Sequence, residues 1–318
     1  MKSIAIAPML DWTDRHYRYF MRQITKTAIL YTEMIVADAV IHGNRDKLLA
    51  YDNHEHPLVV QLGGSDPDKL SSASKICEEF GYMAINLNVG CPSSRVKSGN
   101  FGACLMQNPQ LVSDCIKAMQ DTVSIPITIK HRIGLGYEHD YRQLCNFVTT
   151  IAKTGCSHFV VHARNAILNG LSPKQNREIP PLKYDYVYQL KKDFPELNIT
   201  INGGITTVEQ IKEHLINVDG VMVGREAYYN PYLFSYLESK LFNNNEPALS
   251  RKTIANNMLE YLIKEYELKT PLNHITRHML GLYHNMPKAK LWRQTLSMGI
   301  IHNNSIETYI RLVEQMDN

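Results

Sequence analysis

Asn88-Val89-Gly90-Cys91-Pro92 places a thiol between two chain breakers, three residues after a carboxamide. Gly90 and Pro92 end the apolar run 84–87 and hold Cys91 on a turn rather than on a helix face. A loop thiol beside an amide that both donates and accepts hydrogen bonds is a candidate acid or nucleophile. A lone cysteine in such a turn is more often a small apolar residue, so the chemistry depends on what the rest of the chain brings to it.

Other polar groups recur at comparable places. Pro8 and Met9 follow a first apolar run, and Gln61 ends a third. Asn88 and Cys91 follow the fourth, Lys130 and Arg132 close the fifth, and His162 and Arg164 close the sixth. Asn202-Gly203-Gly204 follows a seventh run and Gly224-Arg225 an eighth. Paired glycine turns at the last two places let backbone N–H groups approach phosphate oxygens, and Arg225 adds a charge-assisted contact. With Gln61 for a pyrimidine edge and Lys130 for an anionic reduced ring, the set suits flavin mononucleotide (FMN). Singly, Lys130 also reads as a rim ion-pair partner, and His162 reads better as a satisfied core histidine.

These positions require a scaffold that brings eight strand ends together. The runs fall at 4–7, 29–32, 58–62, 84–87, 127–129, 158–161, 199–201 and 221–223. Helix-forming stretches at 14–23, 67–79, 109–119, 141–153, 184–192 and 208–214 lie between most of them. Such alternation implies parallel pairing and predicts an α/β fold, a (β/α)8 TIM barrel with its site at the C-terminal strand ends. A doubly wound sheet is the alternative, but no G-x-G-x-x-G follows the first run. A polar breaker cluster at 243–247 separates residues 1–242, the barrel, from 247–318. The tail predicts a small all-helical domain, with helices over 254–265, 275–282, 289–297 and 306–315.

Composition bounds the classes. The chain has 318 residues, 44% of them apolar, and a net charge of +3, which permits nucleic-acid binding without arguing for it. No run reaches membrane-spanning length, and the N-terminus lacks a signal-peptide core. Six cysteines form no C-x-x-C pair and no zinc spacing, which predicts a reduced, cytoplasmic, metal-free protein.

Taken together, Ala7-Pro8-Met9, Gln61-Leu62-Gly63-Gly64, Asn86 to Pro92, Lys130-His131-Arg132-Ile133-Gly134, His162-Ala163-Arg164, Asn202-Gly203-Gly204-Ile205 and Gly224-Arg225 resemble the tRNA-dihydrouridine synthases. Asp11-Trp12-Thr13-Asp14-Arg15 and Asn176-Arg177-Glu178-Ile179-Pro180-Pro181-Leu182 further resemble the bacterial A-type subfamily. The resemblance implies an FMN oxidoreductase, driven by NADPH or NADH, that reduces D-loop uridines of tRNA at sites 20 and 20a. It implies FMN contacts from Pro8, Met9, Leu10, Gln61, Lys130, His162, Asn202, Gly203, Gly204, Gly224 and Arg225. Hydride would pass to uracil C6, and Cys91 would give a proton to C5, acting as thiol rather than thiolate.

A base inside folded tRNA must be turned out to reach such a site. Asn88 is then a candidate for the uracil edge. Arg95, Arg164, Lys174, Arg177, Lys290 and Arg293 are candidates for the tRNA backbone; the resemblance supports the pairs Lys174/Arg177 and Lys290/Arg293. The loop 165–181 is long and basic enough to serve recognition. A monomer with no obligate protein partner and no membrane contact is expected. The rivals are a small-molecule FMN barrel acting on a pyrimidine, and a non-catalytic RNA-binding barrel.

Overall fold

The computed structural model describes residues 2–138, 140–241, 247–300 and 305–316, and leaves the side chain of Arg95 outside that set. Eight strands form one parallel sheet: β1 (Ser3–Ile6), β2 (Leu30–Val36), β3 (Leu58–Gly63), β4 (Ala84–Val89), β5 (Ile127–Arg132), β6 (His158–His162), β7 (Asn198–Asn202) and β8 (Gly220–Val223). Their order is β1-β8-β7-β6-β5-β4-β3-β2. Ile6 N donates to Ile29 O and Ile29 N to Ile4 O, each at 2.9 Å, so the residue entering β2 pairs with β1 and closes the sheet into a (β/α)8 barrel.

Period two along the strands decides what faces the barrel axis. Ala5, Ala7, Tyr31, Val59, Ala84, Val160 and Met222 form one buried apolar cluster. Two residues further along the same strands stand Gln61, Asn86, His162 and Gly224. The apolar layer therefore carries a polar layer directly above it. The crossover helices start where their caps dictate: Asp66 and Asn108 cap helices with Pro at the first position, Asp140 caps Tyr141–Ala152, and Thr207 with Gln210 forms a capping box.

Several strands outrun the apolar runs that predict them. β4 continues through Asn88, β5 through Lys130 and Arg132, and β7 through Asn202. These polar residues break the hydrophobic pattern, yet their backbones stay in register, with Asn88 opposite Lys130 and His162 opposite Asn202. Asn88 and Asn202 therefore lie on strands, not in the loops where the pattern places them.

The chain groups into two compact units: Met1–Met9, Ile29–Tyr51 and His56–Gly224 in one, and Leu10–Ala28, Asp52–Glu55 and Arg225–Asn318 in the other. All eight strands belong to the first. The second gathers Arg15–Arg22 with the helices Arg225–Tyr229, Leu233–Leu241, Arg251–Glu267, Leu272–Thr276, Ala289–Gln294 and Ile306–Gln315. The predicted boundary falls on 242–247, of which 242–246 lie outside the described residues. The helix expected over 275–282 stops at Thr276 and continues as tight turns. There the amides of His278, Met279 and Leu282 reach back three residues rather than four. His278 is also held sideways by Asp14 at 3.0 Å and Tyr228 at 3.1 Å.

Candidate active site

The Cys91 turn is fixed from several sides. Asn88 Oδ1 accepts from the backbone N–H of Gly90 at 3.1 Å and of Cys91 at 3.0 Å, an Asx turn that sets the thiol beyond the strand end. Ala103 N donates to Cys91 O at 2.9 Å. Gly102, next to it, has φ +76° and would place a Cβ 2.7 Å from Cys91 O, so only glycine serves there. Arg132 Nε donates to Gly90 O at 3.1 Å. Cys91 is half-buried.

Across the barrel mouth, Lys130 Nζ donates to Asn202 Oδ1 at 3.1 Å, and Asn202 Nδ2 donates to Met222 O at 2.8 Å. Burial, reinforced by the neighbouring Arg132, pushes Lys130 down to about 7. Burial also holds His162 well below the ordinary imidazole value, with Arg132, Lys130, Arg164 and Arg177 adding repulsion, so this ring is neutral at pH 7. Gly203 has φ +121° and would drive a Cβ to 2.7 Å from His162 Cδ2, while its carbonyl accepts from Tyr184 Oη at 2.7 Å. A Cβ at Gly224 would meet nothing within 4 Å. Gln61 donates through Nε2 to Asn86 Oδ1 and accepts through Oε1 from Asn88, both at 2.8 Å.

The loop 165–181 is anchored through Arg132, whose Nη1 donates to Asn165 O at 3.0 Å and to Asn176 O at 2.9 Å. Asn176 is fully buried and ties the loop internally through Ile167, Leu171 and Ser172. Arg164 donates to the carbonyls of Pro180 and Glu178, so it braces this loop. Lys174 and Arg177 are exposed on its one short 3₁₀ turn. A cleft of about 720 Å³ opens where the loop passes the segment after Cys91, lined by Pro92, Lys97, Asn169 and Ser172 among others.

Within the barrel unit, then, Gln61, Asn88, Lys130, His162 and Asn202 stand on neighbouring strands, and the Cys91 turn and the two glycine turns lie just past strand ends. Pro8 and Met9 follow β1, and Met9 packs on the apolar cluster. Leu10, which is 66% exposed, and Arg225, which opens a short helix, belong to the second unit. So do Lys290 and Arg293, both exposed on Ala289–Gln294, while Trp292 between them is buried with Nε1 donating to Met279 O at 2.8 Å. The Arg95 side chain lies outside the described residues. Among the described residues no three His, Cys, Asp or Glu side chains gather as metal ligands, and no helix is long and apolar enough to cross a membrane.

Sequence reasoning passed over Thr128, quoted Asn86 and Asn176 within motifs without giving them a role, and gave Arg132 no role beyond its place at a strand end. For Asn86 the signal was present: it stands two residues before Asn88, so both face the same way. Asn176 stood only as the first residue of a motif, and nothing in the spacing showed that its partners are backbone atoms of its own loop.

The match to known families agrees with this geometry. A model described as "Dihydrouridine synthase (Dus)" matches residues 5–315. A protein of Haemophilus ducreyi named tRNA-dihydrouridine(20/20a) synthase is 56% identical over 92% of this chain and 90% of its own length. Proteins of the same name from Synechocystis sp. and Shewanella oneidensis are 54% and 50% identical. They cover 92% and 99% of this chain, and 88% and 93% of their own lengths. With the barrel, the glycine turns and the cysteine turn in place, the chain belongs to the dihydrouridine synthase family, and it is an enzyme of that type.

Proposed function

We propose that this enzyme reduces the C5–C6 double bond of D-loop uridines in tRNA, at sites 20 and 20a, with FMN bound at the barrel mouth and NADPH as reductant. The observation that carries the reading is the Cys91 turn. Its half-buried thiol is held by the same Asn88 that bonds Gln61, beside a lysine that burial pushes down to about 7.

The residues present fit the cofactor. Gly224 leaves open the space a Cβ would fill, and Gly203-Gly204 turns with positive φ. Pro8, Met9, Gln61, Lys130, His162, Asn202, Gly203, Gly204 and Gly224 would hold it; Leu10 and Arg225 are proposed as contacts on the resemblance alone. Bound FMN supplies the hydride taken up at uracil C6. The chain's own work is to hold the everted base, keep water out and deliver a proton from Cys91 Sγ to C5. An anionic ligand beside Lys130 restores its full charge. Asn88 spends its oxygen on the turn, so its second Nδ2 hydrogen is the one offered to the base. Arg95, Arg164, Lys174, Arg177, Lys290 and Arg293 would contact the tRNA backbone, the last two from a tRNA-binding tail at 247–318 beyond the catalytic residues 1–242. We place the protein in the cytoplasm as a monomer.

The test is a yellow protein whose NADPH-reduced form reoxidises on unmodified tRNA. Cys91→Ala should keep FMN and its reduction yet lose product formation by roughly a hundredfold or more. Dihydrouridine at the parental rate from that variant overturns the acid assignment. Turnover only on free uracil compounds overturns the tRNA assignment.

A further inference from the structure

The backbone donors of the cysteine turn fix the direction of a longer chain of hydrogen bonds. The N–H groups of Gly90 and Cys91 can only donate, so the Asn88 atom they meet is Oδ1. Nδ2 of Asn88 therefore faces Gln61 and donates to its Oε1 at 2.8 Å. That turns Gln61 so that Nε2 donates to Asn86 Oδ1 at 2.8 Å, and Asn86 Nδ2 in turn donates to Thr128 Oγ1 at 2.9 Å. The Thr128 hydroxyl finishes the series on Ile85 O at 3.3 Å. Gln61, Asn86 and Thr128 stand side by side in register on β3, β4 and β5, and all are buried. No amide in the series can flip without setting donor against donor.

Aliphatic side chains fill the layer below at lower desolvation cost, as Val59 and Ala84 do. A fully satisfied, one-directional polar series fixes orientation instead. We propose that Asn86 and Thr128 are positioning residues. They anchor the far end of the series, clamp the amide of Gln61 and, through Asn88, hold the Cys91 turn. The proposal rests on the reading of Gln61 as a flavin contact and of Cys91 as the proton donor. One series then ties the flavin edge to the acid, so ligand at one end stiffens the other, and the effect is reciprocal.

Thr128→Val tests this, because it deletes one hydroxyl at nearly constant volume. The first readout needs no cofactor: the rate of iodoacetamide alkylation at Cys91, followed by peptide mass spectrometry in FMN-free protein. The second is FMN affinity from quenching of flavin fluorescence, and the third is reoxidation of the reduced enzyme by unmodified tRNA. Thr128→Val should label Cys91 roughly tenfold faster and weaken FMN several-fold. Thr128→Ser, which keeps the hydroxyl, should restore both. Thr200→Val, which deletes the hydroxyl facing His158 on β7, should move neither. Asn86→Leu breaks the series one link nearer Gln61, should have at least the same effect, and serves if Thr128→Val does not fold. Labelling within about twofold of the parent, no rescue by serine, or an equal effect at Thr200 overturns the proposal. A parent protein that takes up no FMN or makes no dihydrouridine refutes the functional reading instead, while the labelling series still decides the positioning role.

Discussion

Two arginines of the second unit and two cations at the barrel mouth are held in opposite ways. In the second, Arg18 Nε meets Glu55 Oε2 at 2.6 Å with both side chains almost fully buried. Arg15 makes two bonds to Glu265, at 2.6 and 2.7 Å. In the barrel, Arg132 and Lys130 are met by neutral oxygens, those of Gly90, Asn165, Asn176 and Asn202. The consequence shows in their acidities. Arg15 is pushed up, because against the downward pull of burial Glu265, Tyr261 and Glu55 together prevail, whereas burial takes Arg132 down to about 10 and Lys130 to about 7. Carboxylate partners close a structure and leave no charge to spend on a ligand. Cations held by dipoles leave a positive field for an anion to complete. Arg15 and Arg18 are satisfied by carboxylates of their own unit, whereas Lys130 and Arg132 donate to neutral oxygens.

The largest test of that contrast removes Arg18. Arg18→Met strands the Glu55 carboxylate, which burial already pushes up against the pull of Arg18. We expect a loss of about 3–5 kcal/mol in denaturant unfolding at neutral pH; a loss below about 1 kcal/mol would mean that the pair does not close the unit.

Next comes Gly224→Ala. Its Cβ enters open space, so stability should shift by less than about 0.5 kcal/mol. FMN affinity should nevertheless fall roughly thirtyfold, because the methyl would occupy the space we propose for the phosphate. Unchanged affinity would mean that this turn is no phosphate cradle.

The finest test is pH. Burial pushes His131 down to about 4, so as pH falls below 6.5 the unfolded chain takes the proton first. Stability contributed by the neutral ring is complete above that value and is lost at roughly 1.4 kcal/mol per pH unit down to about 4. His131→Leu should flatten this slope between pH 6.5 and 4.5. An identical slope in the variant would show that the ring takes up its proton without unfolding.

The barrel was legible because apolar runs recur and glycine turns follow the last two of them. Its polar layer was half legible: Gln61, Lys130 and His162 stand out, while Asn86 and Thr128 look like ordinary strand residues until the register pairs them. Strand ends were placed too early where an inward polar residue interrupted the hydrophobic pattern, as at Asn88 and Asn202. The stop at Thr276 could not be read, since His278 just beyond it meets Asp14, 264 positions away in the chain.

The sequence by itself determined the alternation of elements, the caps that start the helices and the order in which chemical groups reach one rim. Each of these is set by neighbours a few positions apart. Only the tertiary structure decided that Asn88 serves the turn before any ligand, that Gln61 can face only one way, and that the first helix joins the C-terminal ones. Those outcomes depend on hydrogen-bond partners and packing faces brought together by strand register and chain closure, which spacing along the chain does not encode.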